Sequence, residues 1–384
     1  METAPKYRCA VVPCPHYGEA EAALARALSA VGGLDFVRPG MRVVIKVNLV
    51  APMKPEACAT THPALVTALV KMLVSRGASV TVGDSPGGLF TQGALAHCYS
   101  VTGMTEAEKA GAKLNLNTNY HTAQIEGRAM RRLTYTDYLD EADAIIDFAK
   151  LKSHGMMGMS ACVKNMYGVI PGLIKPETHY LYPDVNDFAD MLVDINEHFK
   201  PRLSLIDAVE CMEGNGPTAG TPRHVGAVIA ALDPYSADVV AAELIGTNEN
   251  GVPTLAAAKR RGLCEGIEDI ALFGDPNDLA VPDFEKVPRR SHFFLKGSRI
   301  PLVGRAVEDI LTQKPKPIKR KCVACRKCER ICPAKAITMK TRGGRKYPVI
   351  DRSKCIRCFC CQEFCPKAAM IVHRSLVMRV IAKK

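Results

Sequence analysis

Short apolar runs alternate with amphipathic stretches along the first 275 residues. The runs are rich in β-branched residues, which is typical of buried strands. Between them, "EAEAALARALSAV" and "PALVTALVKMLVSRG" repeat apolar residues at helical spacing, and the second stretch opens on a proline and closes on a glycine. This alternation predicts an α/β fold, a largely parallel sheet covered by helices. The predicted strands are "RCAVVPC", "MRVVIKVNLV", "ASVTVGD", "AIIDFAKL", "RLSLIDAV", "GAVIAAL" and "IALFGD".

A different pattern begins near residue 320, where the motif C-x2-C-x2-C-x3-C-P occurs twice within 45 residues. Three closely spaced thiolates hold one 4Fe–4S cluster, and the fourth cysteine of each motif ligates the other cluster. A zinc site would normally use two CxxC pairs with a longer spacer. The predicted ligands are Cys322, Cys325, Cys328 and Cys365 for one cluster, and Cys355, Cys358, Cys361 and Cys332 for the second. Cys360 is an additional thiol, more in keeping with a structural role.

Residues 320–372 therefore resemble a bacterial-type two-cluster ferredoxin, a small α+β fold. The resemblance implies low-potential, one-electron transfer. We expect three parts in the chain: an α/β domain over 1–287, a proline-rich linker over 288–319, and a ferredoxin-like iron–sulfur domain over 320–384. The last eleven residues, "RSLVMRVIAKK", are amphipathic and basic, and we expect them to dock on the α/β domain rather than on a membrane surface.

The charge of the chain is unevenly distributed. From residue 314 onward there are 21 Lys and Arg against three acids, or +18, which leaves −6 for the rest of a chain whose total is +12. Such a basic surface would attract an acidic electron-transfer protein, such as a ferredoxin or flavodoxin. The alternative is a solvated surface without a partner. Nucleic acid is disfavoured, because the region lacks interleaved aromatic residues or a recognised reading motif.

Sixteen cysteines, with no secretory signal in the N-terminal sequence, favour metal ligation over disulfides. No apolar run reaches the roughly 18 residues that a membrane span requires. We therefore expect a protein without a transmembrane span, located in the cytoplasm.

Polar residues follow several predicted strands, where ligands bind in parallel sheets. The segment 152–180 adds lysines, histidines and glycines with no clear helical or strand period, and we interpret it as part of a site. The "GDSPGG" sequence could form a backbone anion nest or an ordinary strand–helix turn. The residues predicted to bind substrate or cofactor are Lys46, Asn48, Asp84, Ser85, Lys175 and Glu213, and those predicted to be catalytic are His154, His179 and Lys164.

An ordered set of short motifs resembles the domain-of-unknown-function 362 family, which is often fused to a two-cluster ferredoxin. The motifs are "KVNLV", "THP", "VGDSPGG", "KSH", "VKNMYGVIPGLIK" and "EGNGPTAG", and they cover roughly residues 40–250. The family implies no particular reaction. A fainter resemblance links His154, Lys164 and His179 to nickel-pincer lactate racemases, but Asn165 and Tyr167 depart from that pattern, and we predict no nickel pincer.

Two functional hypotheses follow. In the first, the protein is an oxidoreductase that passes electrons from the ferredoxin-like domain to a small anion bound by Lys46, Lys164 and Lys175, with His154 and His179 as proton donors. In the second, it is a non-catalytic electron carrier or a metallocofactor maturation partner. A closed pocket around Lys164 would favour the first hypothesis, and a flat exposed surface would favour the second. The sequence does not identify any cofactor beyond the two 4Fe–4S clusters, and it contains no dinucleotide or P-loop fingerprint.

Overall fold

The computed structural model describes residues 7–172, 174–286 and 313–373. The first two ranges form an α/β body, and the third forms a small α+β unit, which confirms the predicted fold class. Most of the predicted linker, and the C-terminal eleven residues predicted to dock on the body, lie outside the described residues.

Fifteen strands are present in the described residues, and every strand predicted for the α/β domain is among them. Their bounds are β1 Tyr7–Pro13, β2 Arg42–Val47, β3 Ser79–Gly83, β4 Lys113–Leu114, β5 Tyr120–Gln124, β6 Arg132–Thr136, β7 Ala144–His154, β8 Gly158–Ser160, β9 Leu203–Glu213, β10 Thr221–Ala231, β11 Ile270–Phe273, β12 Lys314–Pro317, β13 Ile337–Arg342, β14 Arg345–Ile350 and β15 Met370–His373.

The described residues also contain eleven α-helices. Their bounds are α1 Ala20–Val31, α2 Pro63–Val74, α3 Gln92–Thr102, α4 Thr105–Lys109, α5 Cys162–Asn165, α6 Lys175–Leu181, α7 Val185–Phe199, α8 Pro234–Leu244, α9 Pro253–Arg260, α10 Lys327–Arg330 and α11 Cys360–Glu363. Capping residues fix several of these bounds. The side chain of Asp184 caps α7, Asp233 caps α8, and α1 ends at Gly32 in the left-handed conformation.

The main sheet has the order β11-β1-β10-β9-β7-β2-β3-β4, with β8 added to the end of β7. Strands β9, β7, β2, β3 and β4 run parallel, and β10 is antiparallel to both of its neighbours. Helices cover both faces of this sheet, so its central strands are buried on both sides. The central strand β7 is buried along all 11 residues, including Lys150 and Lys152. The carboxyl ends of β2, β3 and β7 therefore meet at one edge of the sheet.

The small unit contains two antiparallel strand pairs, β12 with β15 and β13 with β14. Helices α10 and α11 each follow cysteines of one motif. The pairing of β12 with β15 corrects the predicted linker boundary, because residues 314–317 belong to the small unit. The "KPKP" sequence resembles a linker in composition, yet it forms a strand whose partner lies more than 50 residues later.

Candidate functional site

A cavity of about 80 Å³ lies at the carboxyl ends of β2, β3 and β7. It is large enough for a few water molecules or a small anion, since one water needs about 10–15 Å³ by this measure. Seven of the nine predicted site residues line it: Asn48, Asp84, Ser85, His154, Lys164, Lys175 and His179. Lys152, Asn165 and Tyr167 also line it.

Lys46 lies beneath the cavity and does not line it. Its side chain is fully buried, and its Nζ lies 2.8 Å from Asp84 Oδ1 and 3.1 Å from Asn165 Oδ1. Asp84 also accepts hydrogen bonds from the backbone N–H groups of Leu49 and Ser85. The prediction that Lys46 binds substrate is therefore corrected, because this ammonium is committed to a buried ion pair that joins β2 to β3.

Two further lysines reach the cavity with their ammonium groups already hydrogen-bonded to neutral oxygens. Lys152 Nζ donates to Asn48 Oδ1 and to Ala59 O, both at 2.6 Å. Burial, together with the charges of Lys164 and Lys150, lowers the pKa of Lys152 to about 7. These contacts hold the amine in place without neutralising its charge.

Lys175 has a similar environment. Its Nζ donates to Ser85 O at 2.5 Å and to Ile170 O at 2.6 Å. Burial lowers the pKa of Lys175 to about 7, although Asp84 opposes the shift. A bound anion would stabilise the protonated forms of both Lys152 and Lys175.

Lys164 differs from the other lysines of the cavity. Its Nζ lies 4.2 Å from the centre of the Tyr167 ring, and within the described parts of the chain it has no hydrogen-bond acceptor. Burial lowers the pKa of Lys164 to about 8, against an opposing contribution from Glu363. Tyr167 is in turn fixed by a 2.7 Å hydrogen bond from its hydroxyl to Lys175 O. Lys164 is thus a preoriented cation whose hydrogen-bonding capacity is available to a ligand.

His154 is held as a neutral imidazole. Its Nδ1 accepts hydrogen bonds from the backbone N–H groups of Met156 and Met157, at 3.1 and 3.2 Å, so the ring proton is on Nε2. Burial and the nearby charge of Lys164 keep the pKa of His154 well below its usual range. This corrects the prediction that His154 donates a proton by titrating near neutral pH, and it leaves His154 as a hydrogen-bond donor.

His179 is packed among aromatic rings. It stacks on Phe188 with ring centres 4.4 Å apart, and it meets Tyr167 edge-on at 5.6 Å. The side chain is 3% exposed and reaches the cavity from α6. This packing fixes the ring plane, and the predicted catalytic role of His179 stays a prediction.

In the "GDSPGG" turn, the backbone N–H groups of Ser85 and Gly87 already donate to protein oxygens and are therefore not available to bind an anion. Ser85 N donates to Gly168 O and to Asp84 Oδ1, and Gly87 N donates to Val50 O at 2.9 Å. Of the two interpretations of this sequence, the ordinary strand–helix turn fits these bonds.

Glu213 lies away from the cavity. It ends β9, and its Oε2 accepts a 2.8 Å hydrogen bond from the backbone N–H of Glu285. The prediction that Glu213 binds a ligand is therefore corrected. The bulge between Lys150 and Lys152 shifts the register of β7 against β9, so that Lys152 pairs with Met212, the residue before Glu213.

The small unit forms one wall of the cavity, through Glu363 and Phe364. Glu363 Oε1 lies 3.4 Å from His154 Nε2, and the carboxylate is 14% exposed. The Phe364 ring packs so closely on Gly87 that a β-carbon at Gly87 would overlap it. Both residues lie between two predicted cluster ligands, Cys361 and Cys365. Sequence reasoning missed them, although Glu363 is one of only three acids in a strongly basic segment.

Hydrogen bonds attach this wall to the body. Thr218 Oγ1 donates to Glu363 O at 2.9 Å, and Gln362 Nε2 donates to Asn215 O at 3.0 Å. Val372 N adds a 3.3 Å bond to Asn215 Oδ1. The "EGNGPTAG" motif of the body therefore acts as the docking loop for the small unit.

The cysteines of the small unit gather in two groups. One cavity is lined by Cys322, Cys325, Cys328 and Cys365, and another by Cys332, Cys355, Cys358, Cys360 and Cys361. Backbone N–H groups point at the sulfurs of Cys322, Cys332 and Cys365 at 3.2–3.5 Å. None of these cysteines forms a disulfide. Each group contains four predicted ligands drawn from both motifs, and the second group also contains Cys360; four thiolates fit a cubane and the predicted cross-ligation.

The fold and these groups define an α/β protein that carries an iron–sulfur domain. The chain belongs to the family described as "domain of unknown function (DUF362)", whose model matches residues 43–243. Residues 321–369 match a 4Fe-4S dicluster domain, so the chain binds 4Fe–4S clusters and is an iron–sulfur electron-transfer protein. The family resemblance seen in the sequence is thereby confirmed.

Among characterised sequences, the chain is 31% identical over 280 residues to a thylakoid-associated protein of Synechocystis sp., covering 70% of this chain and 83% of that protein. In the described residues no helix is both long and apolar enough to cross a membrane. The predicted cytoplasmic location stays a prediction.

Solved structures with a similar arrangement include the lactate racemase apoprotein from Thermoanaerobacterium thermosaccharolyticum, with a TM-score of 0.40 and 13% identity over 63% of this chain. The match spans 57% of the racemase chain, a little over half of its length. A protein from Thermotoga maritima matches with a TM-score of 0.35 and 13% identity, over 55% of each chain.

Proposed function

We propose that this protein is a ferredoxin-linked oxidoreductase that reduces a small anion bound in the cavity beside Lys164. The observation that carries this proposal is the position of Glu363 and Phe364. These residues lie between two cluster-ligand cysteines and form a wall of the cavity in the α/β body. An electron carrier that delivers its electrons to another protein has no need to close a cationic cavity with its own iron–sulfur domain.

Charge favours an anionic ligand. Lys164, Lys152 and Lys175 reach the cavity, whereas Asp84 is neutralised by Lys46, and Glu363 is the remaining carboxylate among the described lining residues. In a cavity of about 80 Å³ such cations select an anion of a few heavy atoms. Lys164 Nζ is the group that we assign to direct contact with the ligand, and the fixed Nε2–H of His154 is a second donor.

Lys164 also suits the role of proton donor. With a pKa of about 8, the Lys164 ammonium is mostly protonated at neutral pH. This pKa is also close enough to neutral pH for the ammonium to release its proton to a reduced ligand. Bound clusters supply electrons one at a time at low potential. Two electrons from the clusters and one proton from Lys164 Nζ together make up the hydride equivalent that the ligand accepts.

The remaining assignments are part of the same proposal. We assign Cys322, Cys325, Cys328 and Cys365 to one cluster and Cys355, Cys358, Cys361 and Cys332 to the second. We retain an α/β domain over 1–287 and a separate iron–sulfur domain, now beginning at residue 314 because β12 is part of it. We propose an acidic electron-transfer protein as the source of electrons.

Anion binding tests the cavity directly. Cluster-loaded, oxidised protein is titrated calorimetrically at pH 7 with phosphate, sulfate, sulfite, nitrite, acetate and bicarbonate. We expect at least one anion to bind, and we expect Lys164→Met to abolish that binding. Lys71→Met, which removes an exposed lysine of α2, is the matched control and should bind normally.

Equal binding by the parent and Lys164→Met, or no binding by any of these anions, would count against a substrate site. The non-catalytic carrier or the metallocofactor maturation partner would then be the better description.

A further inference from the structure

A basic groove of about 510 Å³ lies on the small unit, next to Cys322. Four cationic side chains line it: Lys319, Arg320, Arg345 and Lys346. All four are exposed, and none of the described residues that line the groove is an acid. Tyr347 forms part of its surface, and the Lys319 ammonium lies 4.2 Å from the centre of that ring. The groove therefore presents a concentrated positive charge around one aromatic side chain.

The groove lies beside the more accessible of the two cysteine groups. In the first group Cys325 is exposed and Cys322 is half-buried, and neighbouring Val323 is 58% exposed. In the second group Cys332, Cys358 and Cys361 are each at most 9% exposed. Of the two groups, the first is thus the one that a docked protein can approach closely.

The rest of the surface around the first group is also basic. Arg326, Lys327 and Arg330 are exposed on or beside α10. The nearby acid Glu329 forms an ion pair with Arg326, in which Arg326 Nε lies 2.7 Å from Glu329 Oε2. Positive charge therefore surrounds the first group on more than one side, and a partner would meet little repulsion if its own surface were acidic.

We infer that the groove formed by Lys319, Arg320, Arg345 and Lys346 is the docking surface for an acidic electron-transfer protein, and that electrons enter the chain beside the first cysteine group. In each encounter the docked protein loses one electron and this chain gains one, with no proton transferred at the groove. Glu363 and Phe364, which line the cavity, are not among the described residues that line the groove, so entry and delivery use different residues of the small unit. This inference rests on the iron–sulfur part of the proposed function and does not depend on which ligand the cavity takes.

Binding of a small acidic ferredoxin, and separately of a flavodoxin, to the cluster-loaded full-length chain tests the inference. Dissociation constants are measured by surface plasmon resonance at several salt concentrations. The charge-reversal variant Arg345→Glu/Lys346→Glu is compared with Lys71→Glu/Arg76→Glu, at exposed positions on α2 and just after it, which changes the net charge equally. Arg345→Gln/Lys346→Gln serves as a milder variant if the reversal disturbs cluster loading, which is followed by iron and sulfide content.

We expect at least one of the two proteins to bind the parent, with a Kd that rises steeply with salt because exposed charges are screened. Charge reversal in the groove should raise that Kd by at least about tenfold, and the glutamine variant by a smaller factor, while the α2 control stays within about twofold. Reduction by dithionite should be the same in all loaded variants. Unchanged binding by the groove variants would overturn the inference, as would binding of the parent to anionic phosphatidylglycerol vesicles but to neither protein. Loss of anion binding in the cavity would leave these results unchanged, so the two proposals fail separately.

Discussion

Replacing Lys46 with methionine separates a structural role of this residue from a ligand-binding role. The variant leaves the Asp84 carboxylate, whose side chain is 4% exposed, without the ammonium that lies 2.8 Å away. Removing one partner of a buried ion pair costs about 3–5 kcal/mol, because the remaining charge is left uncompensated. Asp84 keeps two backbone N–H donors, which places the expected loss toward the lower end of this range.

The assay is thermal unfolding of cluster-loaded protein, followed by far-UV circular dichroism because the chain contains no tryptophan. In a domain of more than 250 residues, a loss of about 3 kcal/mol should lower the Tm by roughly 5 °C. Lys71→Met is the control, since its ion pair with Glu21 spans 3.5 Å between side chains that are 57% and 65% exposed. Such a pair contributes less than about 1 kcal/mol. In the double variant Lys46→Met/Asp84→Asn we expect part of the lost stability to return.

The folded fraction of Lys46→Met should still bind the anion that the parent binds. If the variant melted within about 2 °C of the parent but lost anion binding, the assignment of Lys46 to the framework beneath the cavity would be refuted.

Three further predictions concern the cavity and the clusters. Anion affinity should fall as the pH rises above about 7, where the ammonium groups of Lys152 and Lys175 lose their protons, and fall further above about 8, where Lys164 loses its proton; calorimetry of the parent and of Lys71→Met across pH should show this fall, and an affinity that stays constant from about pH 6 to about pH 9 would contradict it. Cys332→Ala should reduce the iron content from about eight to about four per chain, and electron paramagnetic resonance should show that the first group is intact; loss of only the first cluster would contradict cross-ligation. Gly87→Ala should displace the Phe364 ring and slow electron delivery to the cavity at unchanged iron content, and adding Phe364→Ala should restore the rate; a slow double variant would indicate a different cause.

The sequence was sufficient for the α/β fold because its strands are buried on both faces and therefore appear as continuous apolar runs. It was also sufficient for the cysteine groups, since cluster geometry dictates the spacing of their ligands. The strand-end rule brought together Asn48, Asp84 and His154, which line one cavity because parallel strands end at one edge of the sheet.

The same rule failed where local geometry intervened. Glu213 ends a strand, but its carboxylate accepts the backbone N–H of Glu285 and does not line the cavity. Lys46 points beneath the cavity because a buried ion pair fixes it. The charge state of His154 follows from two backbone N–H groups that point at its Nδ1, and no sequence pattern records such a contact. Glu363 was missed because the docking of one unit on another is a tertiary contact between distant segments.

The most direct test of the account is the reoxidation of reduced, cluster-loaded protein by the anion that binds in the cavity. Excess reductant is removed under anaerobic conditions, the anion is added in a stopped-flow instrument, and the return of visible cluster absorbance is recorded for the parent, Lys164→Met and Lys71→Met. The account predicts reoxidation of the parent and of Lys71→Met, and a rate at least about tenfold lower for Lys164→Met, with all three proteins reoxidised equally by ferricyanide. Reoxidation of Lys164→Met at the rate of the parent, or no reoxidation of the parent by an anion that binds, would contradict it.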